Sequence, residues 1–174
     1  MGTPPPLPPS GTVRVAELPP EERGMVQAAL REGTRLHELL GLEIVELGER
    51  HAVLAMPVRE EAFNSTGNLH GGAIATLIDV AAGSAAARGS GFEPGRNSLV
   101  TADLHVRYLG RPHGDVVYAR AEVIKAGRQL VIVDCRVTDA DDRIIAAADF
   151  SMMLVPLRRP LRPVPTAKDT DPDL

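Results

Sequence analysis

Asp79 is the single acidic residue between positions 62 and 87, and no lysine or arginine lies in that stretch. Its neighbours are apolar or small, so an ionised carboxylate there costs on the order of several kcal/mol unless another group compensates it. Such a carboxylate is typical of a general base or of a nucleophile. The structural alternative is a buried aspartate that accepts hydrogen bonds from the Thr76 or Ser84 hydroxyl or from a partner chain.

Gly71 and Gly72 follow His70 at the point where a helix is expected to begin. Backbone N–H groups at a helix start have no partner within the helix and carry a partial positive charge. Because glycine has no side chain, a substrate carbonyl oxygen could reach the Gly71 N–H and be polarised there. The alternative is that both glycines only allow a tight turn into the helix. His70 could act as a base, but we favour a loop-fixing histidine that is hydrogen-bonded to the backbone.

One long helix over residues 70–88 is predicted to carry these groups. Its residues are apolar on nearly all sides, which is typical of a buried helix. The helix would be about 28 Å long at 1.5 Å per residue. Only a curved sheet wrapped around it could bury so much surface. Small residues such as Ala81 and Gly83 would let the sheet or a second helix approach closely.

The segments around this helix have the composition of β-strands. They are predicted at 42–48, 51–58, 98–109, 116–125, 130–137 and 143–155. Short turns join the last three, which predicts an antiparallel meander. Residues 21–40 predict one further helix from the spacing of their apolar side chains. The order of elements indicates an α+β fold in which an antiparallel sheet encloses a long central helix, with an extra N-terminal helix.

The strand at 98–109 alternates between two sets of residues without interruption. One face is predicted to contain Val100, Ala102, Leu104, Val106 and Tyr108. The opposite face is predicted to contain Thr101, Asp103, His105 and Arg107.

The segment from Asn64 to Asp79 reads N-S-T-G-N-L-H-G-G and then T-L-I-D. It resembles the PaaI-type acyl-CoA thioesterase family, with its N-x-x-G-x-x-H-G-G…D pattern. The strand from Thr101 to Tyr108 is similar to that family's strand, which has Ser or Thr, an Asp two positions later and a tyrosine at its end. The resemblance covers about residues 35–156. It implies the hotdog fold, in which an antiparallel sheet wraps around a long central helix.

The resemblance implies hydrolysis of an acyl-CoA to a free acid and CoA. Gly71 would polarise the carbonyl, and Asp79 would act as general base or as nucleophile. Asn64 would orient the water or the acyl carbonyl, and the Thr101 hydroxyl would position water beside Asp79. Asn64 has the alternative of closing its own loop as an Asx-turn, and Thr101 that of an ordinary strand residue.

Substrate contacts are expected from Asn64, Gly72 and Thr76. Coenzyme A enters as part of the substrate, so no separate cofactor is expected. Its phosphates could meet Arg107, Arg128 or the arginines of the C-terminal tail, although solvated arginines are the simpler interpretation of each.

Asp79 and the Gly71 N–H would lie about 12 Å apart along one helix. That distance is too large for both groups to act on one carbonyl within one chain. Two subunits with antiparallel, adjacent helices would bring Asp79 of one to the helix start of the other. The resemblance agrees with such shared sites, and it predicts a homodimer or a dimer of dimers.

Several other functions lack support in the sequence. A net charge of −4 argues against nucleic acid as a partner, and there is neither a P-loop nor a dinucleotide-binding glycine motif. The histidines have no metal-ligand spacing, and Cys135 is the single cysteine. No apolar run approaches the ~20 residues of a membrane span. We expect a cytoplasmic protein without a metal site.

Two alternatives to the thioesterase share its fold. One is a non-catalytic acyl-CoA sensor or binding protein. The other is a hydratase, which would need a histidine and carboxylate pair on the helix, and no histidine lies between Gly71 and Ala87. Residues 1–20 are Pro-rich and predicted to be disordered, residues 21–156 are predicted to form the hotdog thioesterase domain, and residues 157–174 a tail.

Overall fold

The computed structural model describes residues 11–32 and 34–157. In chain order its strands and helices are β1 (Val13–Arg14), α1 (Pro20–Arg31), α2 (Arg35–Leu40), β2 (Glu43–Leu47), β3 (His51–Pro57), α3 (Gly71–Gly89), β4 (Asn97–Tyr108), β5 (Val116–Ala126), β6 (Leu130–Asp139) and β7 (Ile144–Pro156). One antiparallel sheet contains all seven strands in the order β1-β2-β3-β5-β6-β7-β4. The sheet packs around α3, which is the hotdog arrangement that the sequence led us to expect.

Helix α3 begins and ends within one residue of the predicted bounds. Its buried residues recur as adjacent pairs every four positions: Ala73, Ile74, Leu77, Ile78, Ala81, Ala82, Ala85 and Ala86. Such spacing buries one face of a helix, and that face packs on the sheet. The other face, which contains Asp79, is half-exposed. The prediction of a helix buried on nearly all sides therefore holds for one face only, because its apolar surface exceeds what one chain covers.

Strands β5, β6 and β7 pair antiparallel through short turns, which confirms the predicted meander. Their inward side chains, among them Val117, Val133 and Phe150, form the core against α3. Strand β4 pairs with β7 and forms one edge of the sheet. No helix among the described residues is long and apolar enough to cross a bilayer.

The predicted single helix at 21–40 is instead two helices, α1 and α2. A glycine at position 33 disfavours a continuous helix by about 1 kcal/mol relative to alanine. Helix α1 covers the part of the β2 edge that the short strand β1 leaves unpaired, where the Gln27 side chain donates to the Ile44 carbonyl at 2.8 Å and accepts from the Ile44 N–H at 3.0 Å. The amide of Gln27 thus takes the place of a neighbouring strand at this edge.

The expectation of disorder over residues 1–20 is wrong for residues 13–17. Strand β1 pairs with β2, and Val15 in the following 3₁₀ turn is only 2% exposed. Burial of this valine stabilises the segment despite the prolines around it. Residues 1–10 and nearly all of the predicted tail lie outside the described residues.

A β-bulge interrupts β4 and overturns the predicted alternation. Thr101 pairs with Met152 and Asp103 pairs with Ser151, so Ala102 is the extra residue. One extra residue reverses which side chains face the core. Before the bulge Leu99 packs on the core, and after it Leu104 and Val106 do so.

Candidate active site

His70 is the N-cap of α3. Its Nδ1 accepts a hydrogen bond from the Gly72 N–H at 2.8 Å, and its own N–H donates to the Ala62 carbonyl at 2.7 Å. Its carbonyl accepts from the Ala73 and Ile74 N–H groups. These contacts are the backbone hydrogen bonds that we expected of a loop-fixing histidine. Because Nδ1 is occupied as an acceptor, Nε2 is the ring nitrogen left for other contacts.

The Gly71 N–H is the free donor at the start of α3. The next three N–H groups, those of Gly72, Ala73 and Ile74, are all bonded to His70. The Gly71 N–H has no such partner within the described part of the chain. A free backbone donor at the positive end of a helix dipole can stabilise an oxyanion. The geometry thus makes Gly71 available for the predicted role and leaves the Gly72 N–H committed to His70.

Tyr108, at the end of β4, holds the same glycine from the other side. Its hydroxyl donates to the Gly71 carbonyl at 2.9 Å. The tyrosine Cζ lies only 3.2 Å from the position that a Cβ on Gly71 would occupy. In the sequence Tyr108 stands out only as the tyrosine at the end of a strand, on the same face as Leu104 and Val106.

Asp79 and Thr101 are brought together by α3 and β4. The Thr101 hydroxyl donates to Asp79 Oδ1 at 2.8 Å. The Asp79 Oδ2 accepts no hydrogen bond from the residues that the structure describes. A carboxylate with one oxygen held and the other open is suited to accept a proton or to attack a carbonyl.

The structural alternative in which Thr76 or Ser84 satisfies Asp79 is wrong. The Thr76 hydroxyl donates to the Gly72 carbonyl at 2.9 Å, and the Ser84 hydroxyl donates to the Val80 carbonyl at 2.8 Å. Both are bonds to the preceding helical turn, a common arrangement for such residues.

Asn64 closes the loop that precedes α3. Its Oδ1 accepts from the Thr66 N–H at 3.0 Å, the Thr66 hydroxyl at 2.7 Å and the Asn68 N–H at 3.1 Å. This is the Asx-turn alternative of the sequence interpretation. The oxygen is therefore committed to the loop, and the Asn64 amide nitrogen is the atom left to meet a ligand.

The arginines expected near CoA lie in different places. Arg107 forms an ion pair with Asp149 at 3.2 Å. Arg128 lines a cleft of about 430 Å³ beside Asn97 and Leu154. Arginines beyond position 157 lie outside the described residues.

The single cysteine is buried, and this burial, with the nearby Asp134 charge, raises the pKa of Cys135 to about 12.

Comparison with known proteins decides the family. A sequence profile of the thioesterase superfamily matches residues 66–146, which include all of α3 and the strands from β4 to the start of β7. A candidate esterase of Halobacterium salinarum is 32% identical over 110 residues, which span 62% of this chain and 72% of that protein. The chain belongs to the thioesterase superfamily.

Relatives within the thioesterase superfamily include a 1,4-dihydroxy-2-naphthoyl-CoA hydrolase of Listeria monocytogenes, 28% identical over 110 residues, or 63% of this chain and 87% of that protein. A thioesterase family protein from Silicibacter pomeroyi has a TM-score of 0.64 at 26% identity, over 74% of this chain and 97% of that one. The Escherichia coli PaaI protein shares the fold, with a TM-score of 0.65 at 22% identity, over 76% and 92% of the two chains. The present chain is therefore a hotdog enzyme of the thioesterase class.

Proposed function

We propose that this thioesterase hydrolyses an acyl-CoA to the free acid and CoA, at sites that two copies of the chain share. The observation that carries the proposal is the pair of open groups on α3. The Gly71 N–H is a free donor, and Asp79 has one oxygen fixed by Thr101 and the other open. These groups would polarise a carbonyl and activate its attacker.

The reaction needs both groups on one carbonyl. The carbonyl oxygen accepts from the Gly71 N–H of one copy, which stabilises the negative charge that develops during attack. Asp79 of the other copy either takes a proton from the attacking water or attacks the carbonyl carbon itself. The C–S bond then breaks, and CoA leaves as its thiol after protonation. In the second route, water hydrolyses the mixed anhydride and restores the carboxylate.

Two features support assembly of a homodimer or a dimer of dimers. The half-exposed face of α3 has small or apolar residues around Asp79, namely Ala75, Thr76, Val80, Gly83, Ser84 and Ala87. A second helix can approach closely along such a face. Within the part of the chain that the structure describes, β7 pairs with one side of β4 and no strand pairs with the other, so that edge can pair with a strand of another copy.

Substrate contacts are proposed for polar atoms near α3 that can still form a further hydrogen bond. The Asn64 amide nitrogen and the Thr76 hydroxyl oxygen are proposed to meet the thioester or the adjacent pantetheine chain. CoA is part of the substrate, no separate cofactor takes part, and we place the reaction in the cytoplasm. The Listeria relative's name makes an aromatic acyl group a sensible member of any substrate panel.

The decisive experiment measures CoA release from aromatic, short-chain and medium-chain acyl-CoA, with sedimentation of the same sample. We expect turnover of at least one thioester by a dimer or tetramer. Tight binding of every acyl-CoA without release would instead identify a non-catalytic acyl-CoA-binding protein. A folded monomer with full turnover would refute the shared site and retain the activity.

A further inference from the structure

The peptide units on both sides of the Gly71 N–H are fixed by neighbours. The preceding unit, between Leu69 and His70, donates through the His70 N–H to the Ala62 carbonyl. The unit between Gly71 and Gly72 is held at both ends, because its N–H donates to His70 Nδ1 and its carbonyl accepts from the Tyr108 hydroxyl. The unit between them carries the free Gly71 N–H.

The unit that carries the Gly71 N–H is held through its own carbonyl, because the His70 carbonyl accepts from the Ala73 and Ile74 N–H groups. Glycine at this position still benefits from a constraint outside the helix start. Without a Cβ it can adopt many backbone conformations, and an oxyanion donor is effective only when it is oriented in advance. His70 and Ala62 belong to the loop and to the helix start itself. Tyr108 is the contact that ties Gly71 to the sheet, through its hydroxyl and through a ring whose Cζ lies 3.2 Å from where a Cβ on Gly71 would be.

The bulge at Ala102 makes this contact compatible with the Thr101–Asp79 bond. In an uninterrupted strand, residues 101 and 108 would lie on opposite faces, because side chains alternate. The extra residue puts Thr101 and Tyr108 on the same side of β4. One strand therefore contacts both open groups of α3, Asp79 through Thr101 and Gly71 through Tyr108.

We propose that Tyr108 is a positioning residue, which orients the Gly71 N–H for the thioester carbonyl through its hydroxyl bond to the Gly71 carbonyl. This inference rests on the proposed function. It assigns Tyr108 no contact with the reacting atoms, so its loss lowers turnover and leaves ground-state binding of substrate unchanged.

The kinetic test compares Tyr108→Phe with Tyr118→Phe, which removes the hydroxyl of the chain's other tyrosine, on β5. We expect Tyr108→Phe to lower kcat about threefold to tenfold, the worth of one neutral hydrogen bond, with KM within about twofold of native. Tyr118→Phe should keep native kcat. A native kcat in Tyr108→Phe while Asp79→Asn is inactive would overturn the positioning role. A loss confined to KM would overturn it too, since Tyr108 would then be a substrate contact.

A second readout does not depend on turnover. Labelling histidine with ¹³C at its carbonyl and glycine with ¹⁵N selects two amides, because only Gly71 and Gly114 follow a histidine. We expect Tyr108→Phe to shift and broaden the Gly71 resonance and to leave that of Gly114 unchanged. An unaltered Gly71 resonance would overturn the inference. If the native protein hydrolyses no thioester, the proposed function fails while this spectrum still decides what Tyr108 does to Gly71.

Discussion

Asp79 and Asp139 are two aspartates that the same fold treats in opposite ways. Asp139, at the end of β6, is 1% exposed and accepts from three backbone N–H groups, those of His113 at 2.9 Å, Asp141 at 3.0 Å and Arg143 at 3.0 Å. Asp79 is half-buried on α3 and, among the described residues, accepts a hydrogen bond from the Thr101 hydroxyl alone.

The difference in donors separates a carboxylate that stabilises the fold from one kept for chemistry. Burial acts to raise the pKa of Asp139, but the three N–H donors and the Arg143 charge hold it below the usual value. Its donors come from the β4–β5 loop and the β6–β7 turn, so Asp139 joins two connections. Asp79 has no described partner beyond Thr101, and its open oxygen gives the fold no comparable stabilisation.

The largest expected effect is that of Asp79→Asn on turnover. Asparagine has nearly the same size but cannot take a proton at neutral pH, so CoA release should fall on the order of 10²–10⁴-fold. The melting temperature should stay level or rise, because a partly desolvated charge is removed. An Asp79→Asn sample could melt at a much lower temperature and still hydrolyse at the native rate while folded. That result would make Asp79 a structural residue, as Asp139 is.

The reciprocal variant, Asp139→Asn, should lose stability and keep its activity. An asparagine amide group would face one of the three N–H donors, which leaves that donor unpaired. We expect the free energy of unfolding in urea to fall by about 1–3 kcal/mol, with kcat per folded molecule close to native. Loss of turnover without loss of stability would contradict the assignment.

Thr101→Val tests whether the one hydroxyl on Asp79 matters for chemistry. The change keeps the shape and removes a bond to a charged group, so kcat should fall about tenfold. Thr101→Ser should restore most of it. In an Asp79→Asn background Thr101→Val should cost little more, since the two residues act as a unit. An equal, additive loss in that background would separate Thr101 from Asp79.

The sequence predicted α3 and most strand bounds closely, because their apolar periodicity reports burial directly. It did not predict the bulge, since Ala102 fits an alternating strand and the extra residue is determined by pairing with β7. It also overestimated the burial of α3, because apolar composition does not distinguish a face covered by this sheet from one open to another chain.

The same limits apply to the candidate site. The pattern from Asn64 to Asp79 identified the groups, and the Thr101–Asp79 bond joins two that had been singled out separately. Strict alternation put Tyr108 with Leu104 and Val106 and put Thr101 on the opposite face, so the sequence did not predict that one strand contacts both Gly71 and Asp79. Asn64 and His70 turned out to hold the loop and helix start, as their short polar side chains near free N–H groups allow.

The smallest expected effect is the change with pH in the stability that Asp139 supplies. A carboxyl group whose pKa is lowered by folding binds fewer protons in the folded than in the unfolded state as the pH falls towards its ordinary pKa, near 3.9. The stability that ionised Asp139 supplies is therefore complete above that value, and it is lost as the pH falls through the lower, folded pKa.

Urea unfolding of the native protein and of Asp139→Asn, from pH 6 down to pH 3, isolates this contribution from that of other carboxyl groups. The free-energy difference between the two proteins should be constant above about pH 5 and should shrink as the pH falls below about 4, because a protonated Asp139 resembles asparagine. A difference for Asp139→Asn that stays constant down to pH 3 would mean that the three N–H donors do not favour the ionised form. The contrast with Asp79 would then rest on packing instead of on charge.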